Sequence, residues 1–456
     1  MSENASGDSL TSMAPQDDGS EARSARYTRR EALKGAVAGA AALGGTLALG
    51  RLGHVMAAGA TLPSPSSSGI EHVVLVTMEN RSFDHFVGWL PHANGKQAGL
   101  SYPTPTGGSA ATHPLAPDYQ GCGHPDPDHS YQGGRIEYDG GKCDGWLLDT
   151  SNDIYSVGYY TQQDLAFVGQ AAPGWTTCDN YFAAILGPTY PNRIYQHAGQ
   201  TDRLDNTTTI STLPTIWDRL AASGLSGRYY YSDVPFLALW GAKYLPISRP
   251  FATFLTDCAA GTLPNVSYID PRFEDETSGT SADDHPHADI RNGEAFLNTI
   301  YQAVTTSPAW AKTALVITYD EWGGFFDHVP PQTAPIPPAT SAAGDTDGRR
   351  GFRVPSLVIS PWSRRGVVPH TLYDHTSVLR MIEWRWRLQP LSVRDATANN
   401  LAMALDFAHP SLEAPRYNVP PGPFGAPCPV GSSVPSAEAT EWSALASLAK
   451  SYGWPI

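Results

Sequence analysis

The sequence feature that most constrains the fold is the stretch HVVLVTMENRSFDHFVGWL, which runs from His72 to Leu90. It begins with an unbroken apolar run, Val73 to Val76, made mostly of β-branched residues. A short apolar run bounded by polar residues is typical of a strand buried on both faces, as in a parallel sheet. The run ends at Glu79 and Asn80, and Ser82 then suits the N-cap of an amphipathic helix.

Two further apolar runs have the same character. Ala314 to Thr318 is followed by Asp320 and Glu321, and Val354 to Ile359 leads into a Ser-Pro-Trp turn. Strand patterns alternate with helical patterns along the chain, which predicts a parallel or mixed sheet with helices on both faces, an α/β fold of three layers. In such sheets ligands bind beyond the carboxyl ends of the strands, where Glu79 and Asp320 lie.

Other elements are predicted from hydrophobic periodicity and from turn residues. Short strands are expected over 228–232 and 265–269. Helices are expected over 159–168, 194–198, 213–222 and 291–304, within 372–388, and near the C-terminus over 442–452.

The first sixty residues are predicted to be a targeting sequence. Residues 1–27 are polar and are expected to be disordered, and Arg29-Arg30 opens a twin-arginine pattern. An uncharged Ala/Gly/Leu segment, 35–50, and a small-residue cleavage site, 58–60, follow. A membrane anchor is the alternative, but the segment is short and Gly-rich for a span. We expect export by the twin-arginine machinery, in the folded state, to the periplasm or the medium.

Charge and length set further limits. The formal net charge of −14 argues against nucleic acid and against binding to anionic membranes by charge alone. We expect one catalytic domain over 61–407, with the Pro/Gly-rich segment and C-terminal helix of 408–456 packed on it. Five cysteines leave at least one unpaired, and Cys122 with Cys143 is the expected disulfide.

A cation site is predicted where two strands end. Glu79 and Asn80 follow the first strand, and Asp320 and Glu321 follow the second. Clustered carboxylates repel one another unless a cation lies between them, and carboxylate and amide oxygens suit Ca²⁺, Mg²⁺ or Mn²⁺ better than zinc. Taken singly, each pair is more typical of a loop carboxylate or a helix cap, so the prediction depends on there being two pairs that are neighbours in space.

Thr189 is the candidate nucleophile. It lies in GPTYPNR just before a predicted helix, where backbone N–H groups favour an anion, although an ordinary N-cap has the same pattern. A threonine hydroxyl needs a metal or a base to activate it. His124, His285 and His287 lie in two loops dense in Asp and His, 122–129 and 283–289, and are candidate donors to a phosphoryl oxygen or a leaving group.

Five motifs, in one order, carry a resemblance to a known family: MENRSFDHFVGWL, GPTYPNR, DDHPHADIRNGE, TYDEWGGFFDHVPP and GFRVPSLVISPWSRRGVV. They resemble the bacterial phosphoesterase family of non-haemolytic-type phospholipases C and related acid phosphatases, up to about residue 390. The resemblance implies an alkaline-phosphatase-like α/β/α core. It also implies that Glu79, Asn80, Asp320 and Glu321 ligate one divalent metal ion.

The same resemblance implies that Thr189 is the nucleophile and touches the metal, and that His124 and His285 surround the phosphate. His287 is a further candidate, while Asp327-His328 matches a family motif without an assigned role. Larger members of the family continue into C-terminal β-rich domains, and this sequence stops soon after the catalytic core.

The expected reaction is therefore phospholipase C cleavage of phosphatidylcholine to diacylglycerol and phosphocholine through a phosphothreonine, with transient contact to a membrane surface. The alternatives are an acid phosphatase acting on phosphomonoesters and a secreted binding protein that does no chemistry. Choline binding would need an aromatic cage. The candidates for it, each also typical of an ordinary core aromatic, are Trp89, Trp146, Trp175, Trp322 and Tyr190.

Overall fold

The computed structural model describes residues 62–274, 279–429 and 437–456. The predicted disordered N-terminus, twin-arginine motif and cleavage site lie outside these residues and stay predictions. The described residues all fall within one compact unit.

A seven-stranded mixed sheet organises the chain, in the order β6-β12-β11-β1-β10-β8-β9. Strands β11, β1, β10, β8 and β9 are parallel, whereas β12 is antiparallel to both β11 and β6. The seven strands are β1 (His72–Met78), β6 (Thr176–Thr177), β8 (Gly227–Tyr231), β9 (Ser248–Pro250), β10 (Val266–Ile269), β11 (Thr313–Tyr319) and β12 (Ser356–Ile359).

Three small two-stranded sheets lie outside this one. They pair β2 (Ser101–Pro103) with β3 (Ser109–Ala111), β4 (His113–Pro114) with β5 (Gly158–Tyr159), and β7 (Tyr181–Phe182) with β13 (Tyr373–Asp374).

The α-helices connect and cover the strands. They are α1 (Phe83–Val87), α2 (Gly133–Tyr138), α3 (Val168–Ala171), α4 (Thr189–Ala198), α5 (Ile216–Ala222), α6 (Phe251–Ala260), α7 (Ile290–Thr305), α8 (Pro338–Ala342), α9 (His375–Trp386), α10 (Val393–Thr397) and α11 (Ala437–Ser451). Single turns of 3₁₀ helix span Pro65–Ser67, Asp139–Gly141, Ile154–Val157, Phe236–Trp240, Leu245–Ile247, Trp310–Lys312 and Leu401–Ala404.

Both faces of the sheet are covered, because nearly every residue of β1 and β11 is buried. On one face Thr77 Oγ1 donates to Gln196 Oε1 of α4 over 2.9 Å. On the other face the ring of Tyr319 packs 5.5 Å from that of Phe86 in α1, and its hydroxyl donates to Asp284, six residues before α7. The predicted α/β fold, with a helix layer on each face of the sheet, is confirmed.

Some local predictions are wrong. Residues 159–168 are not a helix, because Tyr159 ends β5 and Thr161 begins a turn closed by Asp164, whose Oδ2 accepts from the Thr161 N–H over 2.7 Å. The strand predicted over Val354–Ile359 is confirmed as β12, although it begins two residues later, at Ser356, and runs antiparallel to β11. Helix α6 was not predicted from the sequence.

The expected Cys122–Cys143 disulfide is also wrong. Cys122 is bonded to Cys428, 306 residues away in sequence, while Cys143 is a buried free thiol. The bond fastens the Pro/Gly-rich segment before residue 430 to the loop that holds His124. The physical reason is that α2 and a 3₁₀ turn carry Cys143 into a separate apolar cluster beside Trp146.

The C-terminal helix α11 packs against the core. The Trp442 ring stacks on Phe273 with centroids 3.9 Å apart, and the Tyr190 hydroxyl donates to the Glu441 carbonyl over 3.1 Å. Within the described ranges, no helix has both the length and the apolar character required to cross a bilayer.

Candidate active site

The two predicted acidic pairs lie side by side at the carboxyl edge of the sheet. Strands β1 and β11 are parallel and in register through Met78 and Tyr319, so Glu79 and Asp320 leave the sheet together. The Asn80 N–H donates to Asp320 Oδ1 over 3.3 Å, and the Glu321 N–H donates to the same oxygen over 2.7 Å. The two acidic pairs are therefore close in space, as the predicted cation site requires.

Asn80 adopts a backbone conformation that few side chains tolerate. Its φ is +62°, in the left-handed region that asparagine enters more easily than most residues. Gly323, with φ +63°, passes so close that a Cβ there would lie 2.2 Å from the Asn80 carbonyl oxygen. Asp284 and His287 also have positive φ, and such strain is concentrated at functional sites in many proteins.

One arginine links three carboxylates at this edge. Arg193, on α4, lies 3.1 Å from Glu79 Oε1, 2.9 Å from Asp270 Oδ1 and 2.9 Å from Asp320 Oδ2. All four side chains are buried. Burial lowers the pKa of Arg193, but Asp320, Asp270 and Glu79 outweigh it and raise that pKa above its ordinary value. The group therefore keeps a surplus of negative charge in a region with little solvent.

Asp270 is a site residue that the sequence analysis missed. It follows β10, the other parallel neighbour of β1, directly. The strand itself was predicted, so the strand-end rule that selected Glu79 and Asp320 would have found it. Burial raises the pKa of Asp270, while the nearby Arg193 guanidinium lowers it.

Thr189 is the first residue of α4 and is fully buried. It lies four residues before Arg193, and side chains at this spacing share one face of a helix. Asn192 fixes the turn that leads into the helix: its Oδ1 accepts from the Ile185 N–H over 3.0 Å, and its Nδ2 donates to the Gly187 carbonyl over 2.7 Å. The face of α4 that carries Arg193 to the carboxylates therefore carries Thr189 as well.

His129 is a second residue that was missed. Its Nδ1–H donates to the Pro127 carbonyl over 2.8 Å, so Nε2 is the acceptor for Asn80 Nδ2 at 3.4 Å. This contact turns the Asn80 amide so that its nitrogen points to His129. The ring of His285 lies 6.0 Å from that of His129, and Asp126 Oδ2 lies 3.7 Å from His285 Nε2. His285 thus packs against His129, which in turn contacts Asn80.

The contacts of the His124 imidazole are with Asp153 and Tyr155, which are not part of the group around Arg193. Nδ1 lies 2.8 Å from Asp153 Oδ2, and the ring stacks on Tyr155 with centroids 4.9 Å apart. The hydrogen bond to Asp153 raises the pKa of His124. His287 donates its Nε2–H to the His124 carbonyl over 3.0 Å, and burial lowers the pKa of His287. Of these two histidines, His124 is the one favoured in the protonated form.

Asp327 and His328 belong to a separate network. Together with Asp84 they place three ligand atoms within 4.8 Å of one another. Arg353 already occupies this group, because it donates to Asp84 Oδ1 over 3.0 Å and to Asp327 Oδ1 over 3.0 Å. Arg353 and His328 both contact Asp84, so this network ties α1 to the loop after β11.

The aromatic cage is not formed by the residues considered for it. Trp146, Trp175, Trp322 and Tyr190 are all fully buried, as core aromatics are. Of the five candidates, Trp89 alone is partly exposed, and its indole N–H donates to the Phe86 carbonyl.

The strand-end group, which consists of Glu79, Asn80, Asp320 and Glu321, has side chains that suit a divalent cation. Asn80 Oδ1 is buried and has no hydrogen-bond partner among residues 62–274, 279–429 and 437–456. An orphaned buried acceptor costs about 1–3 kcal/mol unless a donor or a cation meets it. Its neighbours Glu79, Asp320 and Glu321 offer carboxylate oxygens, the ligand type of Ca²⁺, Mg²⁺ and Mn²⁺.

The fold and the site define an α/β protein with an acidic, oxygen-lined group at the carboxyl edge of its sheet. The chain belongs to the Phosphoesterase family, whose model matches residues 70–389. It is a phosphoric ester hydrolase, and the family resemblance drawn from the five motifs is confirmed.

Curated relatives agree with this assignment. The chain is 31% identical to non-specific phospholipase C1 of Arabidopsis thaliana over 383 residues, covering 74% of this chain and 71% of the relative. It is 30% identical to phospholipase C B of Mycobacterium tuberculosis over 440 residues, covering 77% of this chain and 82% of that protein.

A solved structure from the alkaline phosphatase superfamily, from Vibrio parahaemolyticus, is similar with a TM-score of 0.33 and 10% identity, covering 51% of this chain and 62% of that one. At this TM-score the match does not support the fold assignment, which depends instead on the sheet and its two helix layers.

Proposed function

We propose that this protein is an exported, metal-dependent phospholipase C that cleaves phosphatidylcholine to diacylglycerol and phosphocholine through a phosphothreonine at Thr189. The observation that carries the proposal is the Arg193 contact to Glu79 and Asp320, since it anchors the helix of Thr189 to the two strand ends. The phospholipase C names of the relatives support the substrate class.

Thr189 and His124 share the chemistry in two steps. In the first, Thr189 Oγ bonds to phosphorus and gives up its proton to water, while the bond from phosphorus to the glycerol oxygen breaks and the His124 imidazolium protonates that oxygen. In the second, the oxygen of a water molecule bonds to phosphorus and gives a proton to His124, while the bond from phosphorus to Thr189 Oγ breaks and Oγ regains a proton from water. Because the hydrogen bond to Asp153 raises the pKa of His124, the imidazolium needed first is favoured.

Glu79, Asn80, Asp320 and Glu321 are the residues that would hold the metal ion, with Thr189 beside it. A bound divalent ion would lower the pKa of a neighbouring hydroxyl and neutralise charge on phosphoryl oxygens. Arg193 keeps Glu79 and Asp320 in fixed positions, and His129 keeps the Asn80 oxygen turned away from itself. These contacts therefore hold the metal-coordinating oxygens in place before an ion or a substrate binds.

Export by the twin-arginine route is supported by Arg29-Arg30 in the sequence and by the disulfide between Cys122 and Cys428. Disulfides persist in oxidising compartments and are rare in the cytosol. The test is a double variant that combines Arg29→Lys with Arg30→Lys, and we expect it to remain in the cytoplasm. Normal accumulation of this variant outside the cytoplasm would contradict the route.

The substrate is tested with three compounds and one purified enzyme: phosphatidylcholine vesicles, p-nitrophenylphosphorylcholine and p-nitrophenyl phosphate. We expect hydrolysis of both choline esters and slower cleavage of the monoester, all abolished by EDTA and restored by a divalent ion. Cleavage of p-nitrophenyl phosphate alone would make the protein an acid phosphatase. Binding of all three compounds without turnover would make it a binding protein.

A further inference from the structure

A cavity of about 420 Å³ lies beside the loop that carries His124. Its volume is within the range of small-molecule sites. The β2–β3 hairpin forms one wall and residues 147–154 form the other. The residues that matter for its chemistry are Pro105, Ala110, Leu147, Asn152, Asp153 and Ile154.

Two polar residues of this cavity hold the histidine loop. Asp153 Oδ2 lies 2.8 Å from His124 Nδ1, and Asn152 Oδ1 accepts from the Asp128 N–H over 2.6 Å. His124 is the group proposed to protonate the departing alcohol. The cavity therefore adjoins the side of the site from which the leaving group departs.

The wall of the cavity favours an uncharged, apolar occupant. Leu147 is buried in an apolar cluster with Trp146, and Ala110 packs against the same cluster. Asp149 and Asp153 also line the cavity, and both carboxylates repel a second phosphate or any other anion. The lining thus disfavours an anionic group and suits a hydrocarbon chain at the Pro105, Ala110, Leu147 and Ile154 side of the cavity.

The same part of the chain exposes an unusual amount of aliphatic surface. Of the eight large apolar side chains that the described residues expose, three lie between residues 136 and 154: Ile136 at 44%, Leu148 at 38% and Ile154 at 50%. Residues 145–152 fold back on α2, where the Gly145 N–H donates to the Glu137 carbonyl and Asn152 Nδ2 donates to Glu137 Oε1. Ile154 lines the cavity itself, and Leu148 is next in sequence to the lining residue Leu147. Exposed aliphatic side chains beside a cavity with an apolar wall are typical of contact with a lipid.

We propose that this cavity binds the first part of an acyl chain of the diacylglycerol leaving group, and that Ile154 and Leu148 enter the lipid surface when the enzyme binds it. The inference rests on the proposed phospholipase C activity and adds to it the place where the apolar half of the substrate lies. Association then depends on apolar contact, in keeping with a net charge of −14.

The test compares two substrates with one head group, phosphatidylcholine vesicles and p-nitrophenylphosphorylcholine. Ile154→Ser removes the aliphatic rim, and Ala110→Phe fills the cavity. Leu412→Ser is the control, because Leu412 is 61% exposed and does not line the cavity. Thermal unfolding of each variant checks that it folds.

We expect the ratio of kcat/KM for phosphatidylcholine to that for p-nitrophenylphosphorylcholine to fall about tenfold in both variants, as the loss of about two buried methylene groups does. Leu412→Ser should keep the wild-type ratio. Ile154→Ser should also lower co-sedimentation with phosphatidylcholine vesicles, a readout independent of turnover.

A wild-type ratio in both folded variants would overturn the inference while leaving the phospholipase C activity intact. Equal losses on the two substrates would also overturn it, since the cavity would then hold any leaving group and not a lipid chain. A wild-type enzyme that cleaves p-nitrophenylphosphorylcholine but no phosphatidylcholine would instead refute the proposed lipid substrate itself.

Discussion

The backbone N–H of Asn80 donates to Asp320 Oδ1 over 3.3 Å, so residues 240 positions apart meet at the ends of two neighbouring parallel strands. This contact joins the two acidic pairs into one group. It also explains why Asn80 accepts a left-handed backbone, because that conformation turns its N–H toward the neighbouring strand.

Removing the Asn80 amide should weaken metal binding. Asn80→Gly is the informative change, because glycine keeps the positive φ without strain while the side-chain oxygen is lost. We expect the dissociation constant for Mn²⁺ or Ca²⁺, measured by isothermal titration calorimetry, to rise by about tenfold or more. Asn94→Gly is a control at an asparagine outside the group. Unchanged affinity in Asn80→Gly would show that the amide does not ligate the ion.

Loss of Arg193 should destabilise the protein. Arg193→Leu leaves Glu79, Asp270 and Asp320 buried without their shared cation, and removing one partner of a buried ion pair costs about 3–5 kcal/mol. Urea denaturation measures the loss. Saturating divalent cation should return part of the stability, because it neutralises the same carboxylates.

The matched control for this experiment is Arg394→Leu. Arg394 donates over 3.0 Å to the buried Asp374, which also accepts from Arg350 and is not one of the three carboxylates that Arg193 contacts. It should also lose stability, but a divalent cation should not restore it. Equal rescue of both variants, or of neither, would mean that no cation binds between the strand ends.

The pH dependence of turnover should depend on Asp153. The hydrogen bond to Asp153 raises the pKa of His124, and His124 must be protonated to act as the acid. Asp153→Asn removes the carboxylate that stabilises the imidazolium, so the pKa of His124 falls. The alkaline limb of the pH profile of kcat then moves to lower pH. Asp406→Asn is the control, since Asp406 holds His409 in an exposed pair of the same kind at 2.9 Å. An unmoved alkaline limb in Asp153→Asn would remove His124 from the mechanism.

The disulfide should stabilise the segment before residue 430. Cys428→Ser should lower the free energy of unfolding by about 2–5 kcal/mol, because the bond restricts the unfolded chain and fastens residues near 428 to the His124 loop. Dithiothreitol should reduce the wild type to the same stability and leave Cys428→Ser unchanged. Peptide mapping should recover Cys122 joined to Cys428, and a Cys122–Cys143 peptide would contradict the structure.

The sequence predicted those parts of the site that depend on local pattern. Apolar runs that end in acidic residues located Glu79, Asn80, Asp320 and Glu321, and parallel pairing of the strands brought them together. Arg193 was inside a quoted motif, yet nothing local reveals which carboxylates a helical arginine meets. His129 lies in the loop singled out for His124, but its contact with Asn80 depends on the three-dimensional path of that loop.

Long-range topology was the part that the sequence did not reveal. Cys122 and Cys143 are close in sequence, but the bond that forms spans 306 residues. The direction of β12 was likewise hidden, because a buried strand has the same apolar pattern whether its partner is parallel or antiparallel.

The most direct test of the central claim is mass spectrometry of enzyme quenched in acid during turnover of p-nitrophenylphosphorylcholine. The account predicts a phosphocholine adduct on the peptide that contains Thr189, present with divalent cation and lost in a folded Thr189→Ala variant that no longer turns over. An adduct on another residue, or near-normal turnover by Thr189→Ala, would contradict the assignment of Thr189 as the nucleophile beside Glu79, Asn80 and Asp320.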